Sequence, residues 1–256
     1  MWLVVLLAVV YVASASRRSS LQLLTTPKEK ENTKFKPYFS LASIQGRRKH
    51  MEDEYVMSKN GLFYGVFDGH GGSQVSKYAK RCLYAAFLHN LEEKRPWSDD
   101  NIVLALNESL NLVDRDVVSM QRWNHQGCTV AVAYLNIDNL NKISSLITAN
   151  LGDSRIVLSR NGKAIQLTND HKPNDPLERI RIEKAGGTVE WHGLVRDKKP
   201  IPGTGVYRLN GNLSLSRALG DRLERPCLSS NADICVHEVD LETDGYALVY
   251  VYKAYI

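Results

Sequence analysis

The sequence predicts an α+β fold, a layered sandwich of antiparallel strands with helices outside. Two observations point there. Strand patterns come in hairpin runs, with residues 143–150, 155–160 and 163–168 joined by Gly152-Asp153-Ser154 and Asn161-Gly162 turns. Helix patterns cluster instead of alternating one-for-one with strands, as a parallel βαβ sheet would require. At 256 residues and 43% hydrophobic, the chain can bury one large core or two modest ones.

The elements follow in order. Residues 38–44 alternate as a strand that ends at Gly46, and 55–58 form the next. Residues 62–67, LFYGVF, are a continuous apolar run with aromatics and a glycine stop, the pattern of a strand buried on both faces. Residues 75–91 space Val75, Tyr78, Ala79, Cys82 and Ala86 as one helical face. Ser98-Asp99-Asp100 caps a second helix whose face is Ile102, Leu106, Leu110, Val113 and Val117. Strands follow at 128–135 and 143–150, then the hairpins above. Residues 176–185 read as helix and stop at Gly186-Gly187, and 188–191 as a strand. Residues 192–205, with Pro200, Pro202 and Gly203, read as a flap. Residues 207–221 begin with alternating apolar residues and then suggest a short helix ending at Gly220-Asp221. The last strands are expected at 234–239 and 247–251.

Chemistry concentrates at 62–72, LFYGVFDGHGG. The buried strand delivers Asp68, then Gly69, His70, Gly71 and Gly72. A carboxylate there suits a hard divalent cation, and the bare Gly69 backbone can bring a carbonyl to the same ion. Histidine ordinarily titrates near neutrality, so His70 can give a proton to a leaving group. Asp-Gly alone would be an ordinary cap and turn; the whole run is more specific. A second cluster, GRRKHMEDEY at 46–55, switches sign between Arg48 and the pair Glu52-Asp53. A site that needs both a phosphate clamp and a metal ligand requires such a switch.

Residues 2–15, WLVVLLAVVYVASA, are apolar and uncharged, and shorter than the roughly 20 residues that span a bilayer. They read as a signal or anchor segment (1–16), followed by a polar linker (17–37) and a domain (38–256). Ala13-Ser14-Ala15 fits a cleavage site for the secretory pathway. Arg17 and Arg18 instead favour a membrane-associated chain whose body faces the cytosol. Residues 1–50 hold nine Lys/Arg and two acids, so the formal charge of +5 becomes −2 over the rest. No basic stripe with aromatics remains there, which argues against nucleic acid as a partner. Cys82, Cys128, Cys227 and Cys235 form no CxxC pair, so no zinc or redox motif is indicated.

Several blocks together resemble the metal-dependent Ser/Thr protein phosphatases of type 2C. They are SIQGRRKHMEDEY, VFDGHGG, GCTVAVAYL, ANLGDSR, NDHKP, ERIRIEKAGG, RLNGNLSLSRALGD and ADICVHEVDL, in the family's order. The resemblance implies a four-layer αββα sandwich with a site for two Mg2+ or Mn2+ ions at one edge. It implies that Asp68, Gly69, Glu52 and Asp53 hold metal, that Arg48 binds phosphate, and that His70 is the general acid. Asp153 and Asp221 are similar to aspartates at the metal edge, with a third-metal role open to Asp153; both also suit ordinary turns. The implied reaction is hydrolysis of phosphoserine or phosphothreonine in a phosphoprotein by direct attack of a metal-bound hydroxide, in a monomer. No Cys nucleophile is required.

The family pattern also expects a metal-binding Asp-Gly just after the last strand, and an Asp-Asn pair beyond it. Here Asp244-Gly245 precedes the strand at 247–251, and Tyr252-Lys253 stand at the expected position. Glu238, Asp240, Glu242 and Asp244 have no spacing that makes them substitutes. The domain is therefore expected to be incomplete at its C-terminus. The alternative reading is a catalytically impaired chain that binds phosphoproteins.

Overall fold

The computed structural model describes residues 4–11, 38–45, 48–138, 143–240 and 244–253. Two large sheets draw on β1 (Val4–Tyr11), β2 (Tyr38–Ser43), β3 (Glu54–Met57), β4 (Phe63–Phe67), β5 (Val130–Ile137), β6 (Ile143–Leu151), β7 (Arg155–Arg160), β8 (Lys163–Gln166), β9 (Asp233–Glu238) and β10 (Asp244–Lys253). One sheet runs β9-β6-β5-β4-β3 and the other β8-β7-β10-β1-β2, with every neighbouring pair antiparallel. The helices are α1 (Gln74–Glu92), α2 (Asp99–Ser119) and α3 (Pro176–Lys184). The α+β class and the antiparallel pairing are as expected.

Strand β4 shows why its apolar run is continuous. Phe63 and Phe67 join the cluster under α1 and α2, with Leu83, Phe87, Ile102, Leu106 and Leu110. Tyr64 and Val66 point the other way, onto Ile156 and Leu158 of β7. A strand covered on both faces has no solvent side for polar residues. Among the described residues α1 and α2 thus lie on one sheet and the second sheet stacks behind it, which makes three layers of the expected four-layer αββα sandwich. The buried stripe of α1 is Val75, Ala79, Leu83, Phe87 and Leu91. It leaves Cys82 and Ala86 only half-buried, because steps of four, rather than three, follow the face opposite β4. On α2 all five expected positions are buried, and Ser98 Oγ caps it by accepting from Asn101 N at 3.3 Å.

Three short pieces form a small sheet at one end of the sandwich. Gly69–His70 pairs with Gly127–Cys128, which pairs in turn with Leu219–Gly220. This replaces the helix expected before Gly220-Asp221. The chain is extended there because Ala218 and Leu219 are fully buried and the backbone is paired: Leu219 stands opposite Cys128, and Ala218 N donates to Ser229 O at 3.0 Å. A single 3-10 turn, Arg222–Glu224, follows it. The expected flap is a hairpin of Val189–His192 with Val206–Leu209, carrying a smaller one of Val195–Arg196 with Lys199–Pro200.

Residues 4–11, read from sequence as part of a signal or anchor segment, form the strand between β10 and β2. Their β-branched, uncharged run suits an interior strand as well as a membrane segment, and composition alone does not separate the two. No helix among the described residues is long and apolar enough to cross a membrane. The linker expected at 17–37, Gly46 and Glu242 lie outside the described residues.

Candidate active site

The antiparallel order carries the polar turns to one end of the sandwich. Strand β4 runs out into Asp68, β5 starts after Thr129, and β6 runs out into Gly152-Asp153-Ser154. Thr129 Oγ1 joins the three turns. It lies 3.2 Å from Asp68 N, which donates to it, and 2.5 Å from Ser154 Oγ. Thr129 N donates back to Asp68 O at 3.0 Å. Asp68 is therefore held by its backbone, with its buried carboxylate at the strand end.

The second acidic cluster docks on this turn. A Cβ at Gly69 would lie 2.3 Å from Glu52 O, so only glycine allows the two backbones to approach this closely. Ser76 Oγ, from the first turn of α1, donates to Glu52 O at 2.6 Å and clamps the contact. Asp53 is buried beside it, and Arg48 and Glu52 form an ion pair at 3.5 Å. Gln45 Nε2 donates to Arg48 O at 2.7 Å. Arg48, Glu52, Asp53, Asp68 and Gly69, expected together, belong to one neighbourhood.

His70 and Asp221 meet through the small sheet. Gly127 stands opposite both His70 and Gly220 in register, which brings Asp221 Oδ2 to 2.6 Å from His70 Nε2. A Cβ at Gly127 would lie 1.9 Å from Asp221 Oδ2 and 2.7 Å from His70 Nε2. Asp221 N donates to Gln126 O at 2.8 Å, and Gly220 N to Asp114 Oδ1 at 2.9 Å. Arg225 neutralises that buried Asp114 at 2.8 Å. Asp221, expected at the metal edge, is thus first a partner of His70.

Asp153 is paired with Lys172. Its turn rests on His171, which is buried: Gly152 N donates to His171 Nδ1 at 2.9 Å. That acceptor role leaves Nε2–H to donate to Asp233 Oδ2 at 3.1 Å. Arg217 bridges Asp233 at 2.8 Å and the buried Glu178 at 2.7 Å, and Arg181 also reaches Glu178 at 2.9 Å. Burial alone would raise the Glu178 carboxyl, but the Arg217 and Arg181 hydrogen bonds outweigh it and hold the pKa at about 2. Burial lowers His171 below its ordinary value. This network of Glu178, Arg217, Asp233 and His171 was not singled out from sequence, although its residues stand in the ERIRIEKAGG, RLNGNLSLSRALGD, ADICVHEVDL and NDHKP blocks.

The donor set suits a hard cation: two buried carboxylates, Asp53 and Asp68, with Glu52 and backbone oxygens beside them. Among the described residues no three His, Cys, Asp or Glu side chains converge tightly enough to enclose an ion. Register explains why the C-terminal acids do not add to it. Glu238 pairs with Ser145, and Asp244 with Arg160, both at the far ends of their neighbours from the 152–154 turn. Tyr250 stands opposite Arg155, so Tyr252 and Lys253 are the β10 residues at the site end.

The fold is a two-sheet antiparallel sandwich with helices on one sheet and acidic turns gathered at one end. Residues 38–250 match the family described as Protein phosphatase 2C, and the chain belongs to that family. It is 35% identical over 211 residues to Probable protein phosphatase 2C 52 of Oryza sativa subsp. japonica, covering 79% of this chain and 38% of that protein. It is 34% identical over 218 residues to Probable protein phosphatase 2C 69 of Arabidopsis thaliana, covering 82% and 54%. The chain thus spans about half or less of those two relatives' length. A solved structure titled as a C. elegans sex determining protein superposes with a TM-score of 0.66 at 29% identity, covering 80% of this chain and 49% of that one. Serine-threonine phosphatase 2C from Toxoplasma gondii shares the fold, with a TM-score of 0.57 at 23% identity over 77% and 72%.

Proposed function

We propose that this chain carries the catalytic edge of a protein Ser/Thr phosphatase acting on phosphoserine and phosphothreonine in phosphoproteins. One observation carries the reading: the docking of the Glu52 backbone onto Gly69, next to Asp68, with Arg48 paired to Glu52 and His70 following Gly69.

Asp68, Asp53, Glu52 and the Gly69 carbonyl would hold Mg2+ or Mn2+. Such ions screen the charge of a phosphomonoester and make a bound water acidic enough to react near neutral pH. The chain's own residues do the rest. Arg48, with its planar fork, would turn from Glu52 to the phosphate oxygens. Asp221, accepting from Nε2–H, would orient the His70 imidazole, and the proton for the departing serine or threonine oxygen would come from the other ring nitrogen, Nδ1.

Phosphate release from a phosphothreonine peptide, with and without manganese, tests this. The expected result is release that needs manganese and falls to background in Asp68→Asn. Silence from folded protein whose melting temperature still rises with manganese would favour the second reading, a chain that binds phosphoproteins without turning them over. That reading is kept because Tyr252 and Lys253, not acids, stand at the site end of β10.

A further inference from the structure

We infer that the N-terminal segment is a working strand of the phosphatase domain, and that β1 positions Arg48 by holding β2 in the sheet. The part that concerns Arg48 rests on the function proposed above.

Strand β1 pairs on both sides. Eight residues register with β10, from Val4↔Lys253 to Tyr11↔Tyr246. Six register with β2, from Leu6↔Ser43 to Tyr11↔Tyr38. Among the described strands β2 has no other partner, since it is the last in its sheet. Without β1, the β10 edge would present a row of open N–H and C=O groups, and β2 would have no ladder at all. Residues 4–11 contain no charge, Pro or Gly, and four of the eight are Val. That composition is what an interior strand with neighbours on both sides requires.

Strand β2 ends a few residues before Arg48 in the chain. Ser43 stands five positions before Arg48, and the Gln45 side chain binds the Arg48 carbonyl. The register also places Val4 and Leu6 at the site end, opposite Lys253 and Ser43, and Tyr11 at the far end. The direction of β1 therefore delivers the end of β2, and with it Arg48, to the edge that carries Asp68. Insertion in a membrane, or cleavage after Ala15, would withdraw β1; neither is compatible with this role.

The test is made on the full chain. Ala8→Cys and Val249→Cys, a registered pair, are combined in a Cys235→Ser background, because Cys235 is the exposed thiol. Mild oxidation is expected to close a disulfide within one chain, and Ala8→Cys with Leu41→Cys is expected to do the same on the other side. Folded protein in which neither pair closes overturns the strand assignment.

Val9→Pro in the otherwise unaltered chain then tests the link to Arg48, since proline removes a ladder donor. Amide exchange is expected to speed up across 38–43. Inorganic phosphate is expected to bind about tenfold more weakly, as in Arg48→Ala, on the scale of one lost charge-assisted contact. Unchanged exchange in β2, or unchanged phosphate affinity once β2 has loosened, overturns the link. If the parent chain binds no phosphate, the functional reading fails, while the disulfide and exchange results still decide the strand. If Val9→Pro does not fold, the disulfide pairs decide it alone.

Discussion

His70 Nε2 and Asp221 Oδ2 lie 2.6 Å apart although 151 positions separate them in the chain. The contact exists because Gly127 pairs with both strands and has no side chain to fill the space between them. His70 leaves the main sheet immediately after Asp68, and Asp221 arrives on a backbone buttressed by Asp114 and Arg225.

Gly127→Ala is expected to separate the pair, because the added methyl would overlap the Asp221 carboxylate. Phosphate release should fall by about 10²-fold, the lower range for a general acid. The manganese-induced rise in melting temperature should be retained, since no proposed metal residue is touched. Asp221→Asn, which preserves shape, should lower kcat with little change in KM. Steady-state kinetics on a phosphothreonine peptide distinguishes this from a metal ligand, whose loss would also abolish the manganese response.

Glu178 accepts from both Arg217 and Arg181 while buried. Glu178→Gln would leave two partly buried guanidinium groups short of a countercharge. Removing one partner of such a group costs about 3 kcal/mol. Urea denaturation should show the midpoint falling with an unchanged slope. Loosening of Arg217 should spread through Asp233 and His171 to the 152–154 turn.

Acid should destabilise the fold in two stages. His171 is held neutral by burial, so its folded pKa lies below its ordinary value of 6.5. Stability from this group is full above the unfolded pKa and is lost as pH falls through the folded one. Glu178 has a folded pKa of about 2 against an ordinary value of 4.5, so its contribution is present above 4.5 and is lost as pH falls towards 2. Melting temperatures measured downward from pH 7 should decline first on the His171 step and again on the Glu178 step. His171→Gln should remove the first decline and leave the second.

Much of the site was legible because its residues are close in sequence. Asp68, Gly69 and His70 follow one apolar strand, and Arg48, Glu52 and Asp53 lie within one charge switch. The contact between those clusters was not legible. It depends on the gap between two backbones at Gly69 and on a hydroxyl from α1 at Ser76. The contact of Asp221 with His70 was not legible either, because the pairing of Gly127 with two distant dipeptides leaves no periodic signal. The expected helix before Gly220 failed for the same reason: its local pattern was helical, while buried backbone pairing made it extended.

Local chemistry in the sequence determined the family, the antiparallel α+β class and the grouping of acidic side chains around Asp68. Strand period, glycine stops and acid spacing are properties of neighbouring residues, and a linear chain displays them. Tertiary structure alone decided that Val4–Tyr11 is a strand, that Asp221 contacts His70, and that Tyr252 and Lys253 stand at the site end of β10. Each depends on register between segments far apart in the chain. An uncharged run can satisfy its backbone as a strand between two others or as a helix in lipid, and its composition does not separate the two.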